Sequence, residues 1–313
     1  MNPQTAVIND DVNGTPRELL PVLTKIRKDM RKAAGTLDAR EARYLVDLYY
    51  QMQENRLRAA GQIRAIQKSE TEEPHETLSW FLGQAEILEA SIKMALGEFA
   101  ESRAVGRWSL SICGIGPVIA SGLIAHISMN IWRCATSVTN RCRPEAPCSA
   151  ACRHEPTQTA SRIWRYAGLD PSSTWEKGQK RPWNAALKVL CWKAGQSFVK
   201  VSNLEKDFYG KLYQQRKRLE TERNEAGAFA DQAAAVLAAK RIGKETDAYK
   251  AYSIGKLPKA HIQQRAERYA VKIFLSHWHQ VAYFETFGRQ APKPYVIAQL
   301  GHADEIQVPN WPF

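Results

Sequence analysis

Apolar residues recur at helical spacing along most of the chain, and this pattern predicts a mainly all-α protein. Asp38, followed three residues later by Glu41, matches a capping box and marks the start of a long helix. That helix carries an apolar seam at Leu45, Leu48, Met52 and Ala59. A second helix has a seam with alternating steps of four and three residues, at Phe81, Ala85, Leu88, Ile92, Ala95 and Phe99. The two helices form either an antiparallel hairpin or a dimerising coiled coil, and the pattern leaves both open.

Changes in this pattern divide the chain into four segments. Residues 1–35 read as a poorly ordered lead-in, and residues 36–105 as the helical hairpin or coiled coil. Residues 106–225 hold the distinctive motifs, interrupted by a cysteine-rich insert at 133–156. Residues 226–313 form a C-terminal helical region with a packed tail. Its last helix places His277 and His279 among apolar and aromatic residues, so we expect core histidines rather than metal ligands.

Charge is distributed unevenly along the chain. Residues 1–105 hold 14 Lys and Arg against 16 Asp and Glu, whereas residues 106–313 hold 30 against 16. A basic second part indicates a polyanionic partner, although a well-solvated surface gives the same count. No apolar run approaches the length of a membrane span, and the N-terminus lacks the pattern of a secretory signal. We therefore expect a cytoplasmic protein without a membrane partner.

A glycine-containing turn lies between two apolar helical stretches in Leu110–Ile127. Its centre is Gly114-Ile115-Gly116, and Pro117 after it suits the first turn of a helix. Glycines let a phosphate approach backbone N–H groups, and the following helix dipole attracts the anion. The arrangement resembles a helix-hairpin-helix, which contacts the DNA backbone without reading bases. An ordinary tight turn between helices is the alternative.

Four of the six cysteines fall within 19 residues, and we expect them to bind a metal ion. A short polar loop cannot bury enough apolar surface to hold its own shape, so a metal would stabilise it. The candidate ligands are Cys134, Cys142, Cys148 and Cys152, with His154 as an alternative for any one of them. Four such ligands predict a structural Zn²⁺ without an open position for catalysis. Cys113 and Cys191 lie among apolar residues and are expected to be buried thiols.

Cations and aromatic residues alternate after the insert, a composition that suits phosphates and exposed bases. The candidate DNA-binding residues are Gly114, Ile115, Gly116, Arg162, Arg165, Trp175, Lys177, Lys180, Arg181, Trp183 and Lys188. Trp164 and Trp192 sit in apolar helical patterns, so we assign them to the core instead. Solvated charges around core tryptophans are the alternative for the whole segment.

The segment that begins at Thr159, TASRIWRYAGLDPSSTWEKGQKRPWNAALKVLCWKAG, resembles the C-terminal transposase domain of the insertion sequence 110 family of bacterial transposases. The resemblance rests on Gly114–Gly116, the Tyr-x-Gly-Leu-x-Pro run at 166–171, Lys180-Arg181 and the helix after Asn184. It covers about residues 40–225 and implies a DNA-binding protein of transposition or recombination, or an accessory protein of a mobile element.

Two departures from this family bear on catalysis. No part of the sequence matches the family's N-terminal RuvC-like nuclease domain. By position, Ser172 or Ser173 corresponds to the family's catalytic serine, but the loop is shorter and lacks the Ser-Ser-Gly run. An active serine transposase is therefore one alternative function. A protein that binds structured RNA is another, because the family works with a guide RNA.

Overall fold

The computed structural model describes residues 24–69, 75–134, 154–292 and 306–313, and these parts are mainly helical, as the sequence predicts. Helix α1 lies within the segment expected to be poorly ordered, and a short 3-10 turn (Ala34–Thr36) follows it. The described residues contain eleven α-helices: α1 Lys28–Ala33, α2 Ala39–Ser69, α3 Glu76–Glu101, α4 Ala104–Ser111, α5 Pro117–His126, α6 Ala160–Tyr166, α7 Ala185–Val201, α8 Tyr209–Glu225, α9 Ala230–Ala239, α10 Asp247–Ser253 and α11 Lys259–Phe287.

Helix α2 begins with the predicted capping box. The Asp38 N–H donates to Glu41 Oε2 at 2.7 Å, and the Glu41 N–H donates back to Asp38 Oδ1 at 2.9 Å. These bonds satisfy N–H groups that the first turn of a helix cannot pair internally.

Helices α2 and α3 pack against each other as an antiparallel pair within one chain. Near the end of the pair where α2 begins and α3 ends, Val46 and Tyr49 of α2 contact Ile92 and Leu96 of α3. Further along, Arg56 pairs with Glu89 at 2.5 Å. The predicted apolar seam is buried only near this end of the pair, since Phe81 at the other end is 62% exposed. Helix α5 packs against this same end of the pair, and its Val118 belongs to the same hydrophobic cluster. Dimerisation through this pair stays a prediction.

The main core lies between α4, α5, α6, α7, α8 and α11. Its largest buried side chains include Trp108, Phe198, Tyr209, Phe274 and Trp278. Helix α11 contacts α4, α6, α7 and α8, so the C-terminal region shares one core with the central segment.

His277 and His279 of α11 are core residues, as the sequence predicts. His277 bonds to the Tyr209 hydroxyl at 2.8 Å and to the Ile306 carbonyl at 2.9 Å. His279 bonds to the Gln158 carbonyl at 3.1 Å, and burial lowers its pKa to about 4. Cys191 is also buried, which raises the pKa of its thiol to about 12, whereas Cys113 is half-buried.

Two short strands flank the cysteine-rich insert, β1 (Trp132–Cys134) and β2 (His154–Pro156). They pair antiparallel, with Trp132 opposite Pro156 and Cys134 opposite His154. The backbone thus brings the two ends of the insert together. In the parts of the chain that the structure describes, no helix combines the length and apolarity needed to cross a membrane.

Candidate nucleic-acid interface

The connection between α4 and α5 has two glycines with different structural roles. Gly114 adopts a φ of +88°, and a Cβ there would lie 3.2 Å from both Ser197 Oγ and Val201 Cγ2. The Ser197 hydroxyl donates to the Gly114 carbonyl and fixes the turn against α7. Gly114 is therefore required by the turn itself.

Gly116 is the N-cap of α5 and faces open space. Its backbone is extended (φ −98°, ψ 176°), and a Cβ there would meet no atom within 4 Å. Pro117 has no N–H, and the first intrahelical bond runs from the Ala120 N–H to the Gly116 carbonyl at 3.0 Å. Val118 and Ile119 carry the N–H donors that a helix leaves without an intrahelical acceptor at its first turn. This end of α5 is chemically suited to an anion.

A cleft of about 420 Å³ lies over the first turn of α5. We call it the α5 cleft; it is lined by Tyr49, Tyr50, Gln53, Lys93, Gly116, Pro117, Val118, Ile119, Trp192, Lys193, Gln196, Ser197 and Lys200. The lining includes three lysines from two helices, α3 and α7, and no Asp or Glu. Three ammonium groups beside a helix N-terminus give this cleft a strongly positive potential.

Two aromatic side chains shape the α5 cleft. The Lys193 ammonium lies 3.5 Å from the centroid of the Tyr50 ring, and burial lowers the pKa of Lys193. Trp192 is 59% exposed, so its assignment to the core is wrong. Its apolar neighbours Leu190 and Cys191 turn inward on the helix, whereas Trp192 lies on the opposite face.

A second basic surface surrounds the loop between α6 and α7. The Arg181 guanidinium lies 5.3 Å from the Trp175 ring, whose Nε1–H donates to the Gln179 carbonyl at 2.7 Å. The Lys188 ammonium lies 4.0 Å from the Trp183 ring. Trp175 is exposed and Trp183 is half-buried. The structure thus combines cations with aromatic faces where the sequence predicts them.

The Tyr166–Leu169 turn positions this surface. Gly168 has a φ of +66°, and a Cβ there would lie 2.9 Å from Trp183 and from Lys188. The Asn184 amide donates to the Tyr166 hydroxyl at 2.9 Å, and Asn184 also caps α7 by accepting from the Leu187 N–H. The close approach at Gly168 allows Trp183 and Lys188 to pack over the turn.

Helix α11 adds two cations that the sequence analysis missed. Arg268 and Lys272 lie one turn apart on α11, which packs against α7, the helix that carries Lys188; we call these three residues the cation cluster. Burial lowers the pKa of all three groups, and repulsion from Arg268 lowers it further for Lys188; for Lys272, attraction to the Asp170 carboxylate opposes the effect of burial and repulsion from Arg268 adds to it. Within the described residues, none of the three forms a salt bridge. Positive charge held together in this way favours an anionic ligand.

The other predicted DNA-binding cations are exposed. Arg162 donates to the Thr157 hydroxyl at 2.8 Å, and Arg165 lies in the last turn of α6. Lys177 and Lys180 lie in the loop between α6 and α7. Ile115, in contrast, is buried and anchors the α4–α5 turn in the core.

The two candidate serines belong to a turn around Asp170. The Ser172 hydroxyl and N–H both donate to Asp170 Oδ1, at 2.8 and 3.0 Å. The Ser173 N–H donates to the Asp170 carbonyl at 3.3 Å. The bonds from Ser172 lower the pKa of Asp170, which makes this carboxylate a weak base for activating a hydroxyl. A catalytic role for either serine stays a prediction.

Most of the predicted zinc site lies outside the described residues. Cys142, Cys148 and Cys152 belong to the segment 135–153, and only the backbone of Cys134 and His154 is described. Among the described residues, no group of three or more His, Cys, Asp or Glu side chains could hold a metal ion.

Comparisons with protein-family models, with curated proteins and with solved structures found no match for this chain.

Proposed function

We propose that this protein binds DNA through its phosphodiester backbone, with the α5 cleft as the primary contact. In this role it acts in DNA transposition or recombination, as the resemblance of residues 40–225 to the insertion sequence 110 transposases implies. The α4–α5 unit then serves as the helix-hairpin-helix. The observation that carries the proposal is the opening at Gly116, in a cleft whose lining includes three lysines and no Asp or Glu.

The lining of the cleft supports phosphate as the ligand. A phosphate oxygen can accept hydrogen bonds from the first-turn N–H groups of α5 while lysine ammonium groups neutralise its charge. A side chain at position 116 would occupy this approach, and glycine leaves it open. Such contacts form with DNA of any sequence, because the phosphates are the same whatever base they flank.

The distribution of charge supports a long polyanion over a small phosphate ester. Residues 106–313 carry an excess of 14 positive charges, and these include both the cation cluster and the cations around Trp175. Several separate phosphate contacts make affinity fall steeply with salt, as is typical of DNA-binding proteins.

We also propose that a structural Zn²⁺ stabilises the cysteine-rich insert. The pairing of Cys134 with His154 in the β1–β2 register supports this, because it brings the first and last candidate ligands to one end of the insert. The ion would take four ligands, Cys134, Cys142, Cys148 and Cys152 or His154 in place of any one of them, and would hold the insert in one conformation.

The test is a binding comparison with duplex, single-stranded and branched DNA and with structured RNA, together with a cleavage assay on each DNA. We expect salt-sensitive binding to DNA with little sequence preference. Lys193→Ala in the α5 cleft should weaken binding, whereas Lys244→Ala, an exposed lysine outside both basic surfaces, should not. Tighter binding to structured RNA than to every DNA would contradict the proposal. Strand cleavage would instead support the serine transposase.

A further inference from the structure

Helix α7 exposes one continuous face. Its buried face packs into the core through Leu187, Leu190, Ala194 and Phe198. At 100° per residue, the opposite face carries Lys188, Val189, Trp192, Lys193, Gln196 and Lys200. The 17 residues of α7 include three lysines and no Asp or Glu.

This face connects the two cationic sites. Lys188, in the first turns of α7, belongs to the cation cluster with Arg268 and Lys272. Lys193 and Lys200, further along the helix, line the α5 cleft. At 1.5 Å per residue, the helix rise separates Lys188 from Lys200 by about 18 Å. One nucleic-acid strand of a few nucleotides is long enough to contact both sites.

Trp192 lies between the two sites. More than half of its surface is exposed, although tryptophan is usually well buried. It lines the α5 cleft beside Lys193, and Lys188 lies one turn before it on the same helix. An exposed indole between two groups of cations provides a flat surface on which a base can stack while the flanking phosphates are neutralised.

We propose that α7 holds a short unpaired stretch of a DNA strand, with one base stacked on Trp192 and phosphates on either side of that base at the cation cluster and the α5 cleft. This inference rests on the proposed function and specifies its substrate as DNA that contains a short single-stranded stretch. In an intact duplex each base is already stacked between its neighbours, so contact with the indole face would require costly unstacking. A gap removes that cost.

The experiment measures the affinity of the parent protein for three DNAs of the same sequence: an intact duplex, a nicked duplex, and a duplex with a short single-stranded gap. The nicked duplex controls for flexibility without unpaired bases. We expect the gapped duplex to bind most tightly. Trp192→Ala should reduce the preference for the gap about 5- to 150-fold, the range expected for the loss of one stacked base.

Two further variants separate stacking from folding. Trp192→Phe keeps an aromatic face and should retain most of the preference. Val189→Ala removes an exposed apolar side chain from the same face and should leave the preference unchanged. Both Trp192 variants should melt like the parent, since the side chain is largely exposed.

The possible outcomes distinguish this inference from the proposed function. Equal gap preference in the parent and in Trp192→Ala overturns the stacking site, while DNA binding itself can stand. Tighter binding when the unpaired stretch is RNA instead of DNA overturns the assigned substrate. If the parent binds none of these DNAs at low salt, the proposed function and this inference both fail.

Discussion

Substitution of the two glycines of the α4–α5 connection separates DNA contact from folding. At Gly116 the backbone is extended and open, so a valine fits without a clash. Valine is a poorer N-cap than glycine, and we expect the free energy of unfolding to fall by at most about 1 kcal/mol. The valine would instead stand where we propose that a phosphate approaches α5.

The expected loss of binding follows from the donors at this position. If a phosphate accepts one or two charge-assisted hydrogen bonds from the first turn of α5, Gly116→Val should weaken DNA binding by roughly 1–3 kcal/mol. This corresponds to about a 5- to 150-fold increase in Kd.

Gly114→Ala provides the matched control on the same turn. An alanine at a φ of +88° takes a left-handed conformation that costs about 1–2 kcal/mol, and its Cβ would press on Ser197 and Val201. We expect lower stability but normal DNA affinity of the folded fraction.

Urea unfolding and fluorescence anisotropy with labelled duplex DNA measure the two quantities independently. We expect opposite outcomes for the two variants: weaker binding with near-normal stability for Gly116→Val, and lower stability with near-normal binding for Gly114→Ala. A folded Gly116→Val protein that binds DNA as tightly as the parent would remove the α5 N-terminus from the binding site.

Two further predictions concern the metal and the pH dependence of stability. Metal analysis of the purified protein should give about one zinc per chain, as a four-ligand site requires; free reaction of the insert's thiols in a zinc-free native protein would refute this. Burial holds the pKa of His279 at about 4 against an ordinary value of 6.5, so the unfolded state binds the proton more tightly. Stability should therefore be complete above pH 6.5 and should decrease by about 3 kcal/mol as the pH falls to about 4. In His279→Gln, the free energy of unfolding measured with urea should depend less steeply on pH. An unchanged pH dependence would contradict the role assigned to His279.

Local sequence signals predicted several elements of the fold. The pair Asp38 and Glu41 forms the capping box, and Pro117 begins α5, because both features depend on neighbouring residues alone. His277 and His279 are core residues, as their apolar surroundings predict.

The composition of the α5 cleft was not predictable in the same way. Lys93 and Lys193 are far apart in the sequence and meet only because α3 and α7 both pack near α5. Arg268 and Lys272 reach the cation cluster from the last helix. Trp192 was assigned to the core because its neighbours are apolar, but its position on the helix turns it to the exposed face. The sequence of α7 does contain one indication of this basic surface, because its three lysines occur without any acidic residue.

The most direct test of the central claim is the salt dependence of duplex DNA binding. The parent is compared with a variant in which the three lysines of the α5 cleft, Lys93, Lys193 and Lys200, are replaced by alanine. A charge-matched control replaces three exposed lysines outside both basic surfaces, Lys28, Lys244 and Lys250. If each cleft lysine neutralises one phosphate, the slope of log K against log salt should become shallower by about 2.7 units in the cleft variant. The control should keep the parent's slope. Equal slopes for the cleft variant and the parent, or no binding by the parent at low salt, would contradict the account.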